Sequence, residues 1–137
     1  MPDQVLSSLL RINRQRLRSL RQALAPHNYV GVMHLIMFYT NRKPGASQDE
    51  ISCFYAVDKA SVARDAKRLE DMGHITRRIN PDNRRQYQLY LTEEGKAFIP
   101  VLSDCYDAFA QKLAAGVSEE DWQRLTVLLQ QLEENSR

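Results

Sequence analysis

Residues 57–95 read VDKASVARDAKRLEDMGHITRRINPDNRRQYQLYLTEEG. Asp58 is a helix N-cap residue, and Val62, Ala66 and Leu69 then recur on one side at about 100° per residue. The spacing predicts a helix over 58–72, ended by Gly73. Its opposite side gathers Ala60, Arg64, Lys67 and Asp71, flanked by Ser61 and Arg68. A face that is small near the N-terminus and basic further along suits a DNA major groove, where Arg and Lys reach guanine or phosphate. The same face also describes a solvated amphipathic helix, so alone it leaves both readings open. Beyond Gly73 the period changes to two. Residues 74–79 and 86–91 alternate Ile75, Ile79, Tyr87, Leu89 and Leu91 with polar neighbours, which predicts a hairpin. Its turn runs through Asn80, Pro81, Asp82, Asn83 and Arg84. Arg77, Arg78, Arg84 and Arg85 crowd this hairpin, and an arginine on a narrow tip fits the minor groove, where the potential is most negative. Asp82 is expected to hold the tip, or Arg84 itself, through a charge-assisted bond. A basic hairpin beside a basic helix is far more specific than either alone.

Upstream, Ser47, Gln48, Asp49 and Glu50 form a capping box that opens a short helix to about Tyr55. A tight turn at Ala56 and Val57 joins it to the helix at 58–72, giving a helix-turn-helix pattern. Further upstream, Leu6, Leu9, Leu10, Leu17, Leu20 and Leu24 mark a helix over 5–25, stopped by Pro26. A second helix over 28–42 is apolar on most faces and belongs in the core. Downstream, Thr92 caps a helix over 93–115, in which Pro100 predicts a bend, and Gly116 ends it. Ser118 caps the last helix, with Trp122, Leu125, Leu129 and Leu132 as its packing seam. The expected fold is mainly α with a small β element (α+β), a winged helix-turn-helix in one domain spanning 1–137.

The net charge of +2 conceals its distribution. Residues 55–91 carry eight basic and five acidic side chains, whereas 92–137 carry four basic and nine acidic. A basic middle between helical ends suits a nucleic-acid face confined to one part of the fold. No run of about 18 apolar residues exists to span a membrane. The start, MPDQVLSSLLRINRQ, lacks a signal peptide's basic and small-residue regions. Cys53 and Cys105 have no metal-ligand spacing and read as reduced thiols of a cytoplasmic protein. His27, His34 and His74 are scattered, and no nucleophile–base set, paired catalytic carboxylates or phosphate loop is visible. Neither enzyme activity nor a metal or cofactor is expected.

The stretch 47–95 resembles the MarR family of transcriptional regulators. The resemblance rests on D-K-x-S-V-x-R opening the recognition helix, R-L-E-x-x-G closing it, the I-x-R-R strand, the P-D-x-R-R wing and the L-T-x-x-G junction. It implies a homodimer built from helices in 1–25 and 93–137, with the winged helix-turn-helix at 28–92. It implies a repressor that binds double-stranded DNA at a pseudo-palindromic operator. Ser61, Arg64 and Lys67 on the helix and Arg84 in the wing are then the DNA contacts, with Lys59 and Arg68 as further phosphate contacts and Asp82 as wing support. It also implies a small aromatic effector near the junction of dimer and DNA regions, where Leu10, Arg14, His34, Phe38 and Tyr106 fall. This chain departs from the family at Ala56, where the turn usually has glycine, which implies a different turn geometry. It departs also at Cys53 and Phe54, where charged residues are usual. Two other readings stay open: a winged-helix module that binds protein, and a redox regulator acting through Cys53.

Overall fold

The computed structural model describes residues 2–137. In chain order they form α1 (Pro2–Leu24), a single 3-10 turn (Ala25–His27), α2 (Met33–Arg42), α3 (Gln48–Tyr55), α4 (Lys59–Asp71), β1 (Ile75–Asn80), β2 (Asn83–Leu91), α5 (Glu93–Ala114) and α6 (Glu119–Asn135). The fold is mostly helical with one antiparallel hairpin, a winged helix.

Capping chemistry places the helix starts where the sequence puts them. Ser47 accepts the Glu50 N–H and Glu50 reaches back to the Ser47 N–H, completing the capping box. Asp58, Thr92 and Ser118 each accept a backbone N–H three residues on, satisfying donors that the first turn leaves free. α5 runs unbroken through Pro100, which is exposed.

The second helix starts later than its apolar pattern predicts. Asn28 and Gly31 take positive φ (61° and 55°), so residues 28–32 form a loop and α2 begins at Met33. Tyr29 still enters the core, carried by that loop rather than by a helix face.

The core gathers Leu20 and Leu24 of α1, Met33, Ile36 and Met37 of α2, Ile51 of α3, Val62, Ala66 and Leu69 of α4, Ile75 and Leu89 of the hairpin, and Leu102 of α5. Burying each large aliphatic side chain contributes roughly 1.5–3 kcal/mol. All three residues assigned to the inner face of α4 are therefore buried, and they fix which face of that helix meets solvent.

The hairpin pairs Ile75 with Leu91, Arg77 with Leu89 and Ile79 with Tyr87, with an irregularity between Ile79 and Asn80. Leu89 also donates to Ala46 (2.9 Å) and accepts from Gly45 (2.8 Å), so the segment before α3 lies along the inner edge of β2. That third edge anchors the wing to the helix-turn-helix. His74, expected at the start of the first strand, instead precedes it and is buried. Its Nδ1 lies 2.6 Å from the Tyr29 hydroxyl and its carbonyl accepts the Thr92 N–H at 3.1 Å. Gly95 is packed so closely on the His74 carbonyl that an added Cβ would collide with backbone, which accounts for the glycine in L-T-x-x-G.

Candidate nucleic-acid interface

α4 presents its basic side to solvent. Lys59, Ala60, Arg64, Lys67 and Arg68 are exposed and Ser61 is half-buried. None of the polar groups is idle. Ser61 donates its hydroxyl to Asp58 (2.8 Å) and accepts from Arg64 Nη2 (3.5 Å), so cap, serine and arginine form a chain along the first two turns. The hydrogen bonds from Ser61 hold the Asp58 carboxyl below the usual carboxylate range. Lys59 lies 3.8 Å from Asp49 and Lys67 lies 3.6 Å from Asp71. Both pairs are solvent-exposed and weak, so a phosphate can displace the carboxylates.

The largest feature absent from the sequence reading is Asp65. It lies on α4 between the basic residues, fully buried. Its carboxylate accepts the Val32 N–H at 2.9 Å and meets Arg68 Nη1 at 3.0 Å and Arg64 Nε at 3.5 Å. Nothing in a helical periodicity marks a charged residue for burial; the signal was Gly31, whose missing side chain leaves room for this carboxylate.

At the wing, Arg84 and Arg85 are exposed at the tip and Arg78 lies over the Tyr90 ring at 4.6 Å. Asp82 does not hold Arg84: among the described residues no ion pair joins them. Two asparagines shape the tip instead. Asn80 accepts the Asp82 N–H (2.9 Å) and Asn83 accepts the Arg85 N–H (3.1 Å), the local bonds that asparagine makes in turns. Arg77 belongs to the scaffold. It pairs with Glu70 of α4 (3.1 Å), reaches Gln48 of α3 (3.4 Å) and covers the Tyr87 ring, so it braces the wing against both helices. Its guanidinium holds the Glu70 carboxyl below its usual range.

Of the five residues at the expected effector position, three come together. The His34 Nδ1 is hydrogen-bonded to the Tyr106 hydroxyl, and Phe38 packs on Tyr106 with ring centroids 4.9 Å apart. Phe38 and Tyr106 line a cavity of about 590 Å³ with Arg16, Leu35, Asn41, Arg42 and Tyr55. Leu10 and Arg14 stand apart on the exposed side of α1; Arg16 supplies the cation. His34 borders a separate cavity of about 220 Å³ between α1 and the 28–32 loop. Burial, with the Arg16 charge adding to it, pulls the His34 imidazole down to about 4, and burial pushes the Tyr106 phenol up to about 12.

Ala56 adopts the left-handed conformation (φ 54°, ψ 45°), so the turn keeps a glycine-like geometry without a glycine. Phe54 packs edge-on to Tyr55 and against Tyr39. Cys53 is exposed, and among the described residues its sulfur has no hydrogen-bond partner. Cys105 is half-buried, 3.7 Å from the Ala23 carbonyl, and its thiol is pushed up by burial.

A helix-turn-helix with an exposed basic helix, flanked by an arginine-tipped wing braced to it, defines a winged-helix DNA-binding protein. A family profile described as MarR family matches residues 34–87. A solved structure of MarR is 30% identical and superposes with a TM-score of 0.85 over 96% of this chain and 90% of that one. The transcriptional regulator SlyA superposes at 0.83 with 26% identity, over 96% of this chain and 93% of its own. The HTH-type transcriptional regulator BilQ of Clostridium symbiosum is 28% identical over 103 residues, covering 75% of this chain and 71% of BilQ. The chain belongs to the MarR family. It is a DNA-binding transcription regulator and not an enzyme, and among the described residues no helix is long and apolar enough to cross a membrane.

Proposed function

We propose that the protein is a repressor that binds a pseudo-palindromic operator as a homodimer and is released by a small aromatic effector. The observation that carries this reading is the exposure of Arg64, Lys67 and Arg68 on one face of α4, with Arg84 exposed at the tip of the wing that Arg77 braces to that helix. Ser61, Arg64 and Lys67 read the major groove, Lys59 and Arg68 hold phosphates, and Arg84 enters the minor groove. Asp82 acts only through the turn it belongs to. Two copies related by a twofold axis place two recognition helices one DNA turn, about 10 bp, apart. α1 and α6 support the dimer through the apolar side chains they leave exposed, among them Leu6, Val127 and Leu128. The effector position is supported by the cavity that joins Phe38 and Tyr106 rings to the Arg16 cation, a pairing suited to an aromatic group bearing negative charge.

Fluorescence anisotropy with duplex from the region upstream of the protein's own gene, and with random duplex, tests the reading at several salt concentrations. Saturable and selective binding that weakens steeply with salt is the expected result. Arg64→Ala should lose affinity by roughly 5- to 100-fold and relax selectivity, the range for a lost base-reading arginine. Arg84→Ala should weaken binding and flatten its salt dependence. Unchanged affinity in both variants sinks the contact face.

A further inference from the structure

We propose that Asp65 is a positioning residue for operator recognition, fixing the guanidinium groups of Arg64 and Arg68 and tying them to the loop that precedes α2. The proposal rests on the reading of α4 as the DNA-contacting helix.

The carboxylate is 0% exposed at the margin of the buried face of α4, beside Val62, Ala66 and Leu69, while Arg64 and Arg68 next to it stay open to solvent. Burying a charge is costly, and an apolar residue packed at such a position often serves stability as well or better. Asp65 therefore invites an account beyond stability, and its partners supply one. Oδ2 accepts the Val32 N–H at 2.9 Å, while Oδ1 faces Arg68 Nη1 at 3.0 Å and Arg64 Nε at 3.5 Å. Gly31 beside it has φ +55°, and a Cβ there would run into Oδ2. The loop is built around the carboxylate.

Arg64 and Arg68 remain 57% and 48% exposed. Each uses one donor on Asp65; Arg64 gives a second, Nη2, to Ser61 (3.5 Å), and the remaining donors of both stay available. A guanidinium held this way meets a base edge or phosphate with part of its freedom already surrendered, which improves the geometry-sensitive contacts. Attraction to phosphate in general depends on charge and not on orientation, so it does not need Asp65. Orientation and bulk charge therefore pull in opposite directions when the carboxylate is neutralised.

Asp65→Asn separates them. The amide oxygen still accepts the Val32 N–H, the size is unchanged, and the face gains one unit of positive charge. Binding is measured to a duplex that the wild-type protein selects from a randomised pool, and to random duplex, at matched salt. Selective binding by the wild type tests the reading of the contact face; the change in the selected-to-random ratio tests the role of Asp65. We expect the random-duplex affinity to hold or rise and the ratio to fall roughly tenfold, the scale of one good arginine contact. In an Arg64→Ala, Arg68→Ala background the same substitution should move the ratio less than about twofold, because the orienting group then has nothing to orient. Equal gains on both duplexes, or an undiminished fall of the ratio in that background, overturns the proposal. Arg64→Lys, at the arginine assigned to base reading, reaches the same point without touching the buried carboxylate. It keeps the charge but loses the fork, so it should hold random-duplex affinity and lose selectivity; retained selectivity overturns the proposal equally.

Discussion

At the residue scale, two positions show what a chain pays attention to in its turns. Ala56 sits at φ 54° between α3 and α4, a conformation that costs an L-residue roughly 1–2 kcal/mol and a glycine almost nothing. The turn keeps its shape because Ser52 donates its hydroxyl to the Val57 carbonyl and the Val57 N–H returns to the Ser52 carbonyl, closing the corner from both sides. Ala56→Gly should therefore stabilise the protein by about 0.5–1 kcal/mol, since part of the relieved strain is offset by the greater freedom of glycine in the unfolded chain. Thermal unfolding should show a rise of roughly 2–4 °C. A fall would mean that the alanine methyl makes contacts worth more than the strain. The identity of this residue was readable in the sequence as a departure, but the sequence pointed to an altered turn. The hydrogen bonds that force the left-handed geometry are visible only once Ser52 and Val57 are placed together. Asp65 was hidden for the same reason: its partner is a backbone N–H thirty-three residues away in chain order.

At the scale of elements, the legible parts were those whose information is local. The boundaries of α3 and α4 follow from Ser47, Asp58 and Gly73, because caps act within four residues. The start of α2 was misplaced because Tyr29 satisfies an apolar helical pattern, while Asn28 and Gly31 impose backbone angles that a helix cannot hold. The inner edge of the wing was also missed, since the pairing of Leu89 with Gly45 and Ala46 leaves no mark on either segment alone. Two histidines join these elements: His34 links α2 to Tyr106 of α5, and His74 links the wing base to Tyr29. Burial lowers both imidazoles, His34 to about 4. The unfolded chain takes up their protons near pH 6.5 while the folded chain resists, so stability is full above that pH and declines as pH falls toward 4. For His34 the decline reaches on the order of 3 kcal/mol. Arg16 opposes protonation of His34, whereas Glu94 favours it at His74, so His34 should dominate. Denaturant unfolding at pH 7, 6 and 5 should show a progressive loss that His34→Gln largely flattens. An equal slope in that variant would assign the loss to other groups.

At the scale of the whole molecule, the single chain leaves its two ends unfinished. α6 has no buried residue over 17 positions, and Leu125, Val127, Leu128 and Leu132 stay open to water along it. On α1, Val5, Leu6, Leu10, Ile12 and Leu17 do the same. Between these helices, Leu9, Ile12, Leu113, Trp122, Leu125 and Leu129 line an apolar cavity of about 610 Å³. A solvated helix of this length gains little from its own hydrogen bonds, so packing of its apolar face must hold it in place. Large apolar side chains left exposed along two helices that share a cavity mark an association site, and the two helices lie at the two ends of the sequence with the wing between them. Covering them with a second copy leaves both α4 faces free, which is the arrangement a two-half-site operator requires. The wild-type protein should therefore sediment as a dimer at micromolar concentration. Leu128→Asp combined with Leu132→Asp places charge in the proposed interface and should shift it to monomer, with hairpin and α4 still folded by circular dichroism. Binding to duplex carrying two half-sites should then weaken by about 100-fold or more, because the second recognition helix no longer binds at the high effective concentration that the dimer provides. A variant that remains dimeric, or a wild-type monomer that binds the full operator at undiminished affinity, would move the interface away from α6.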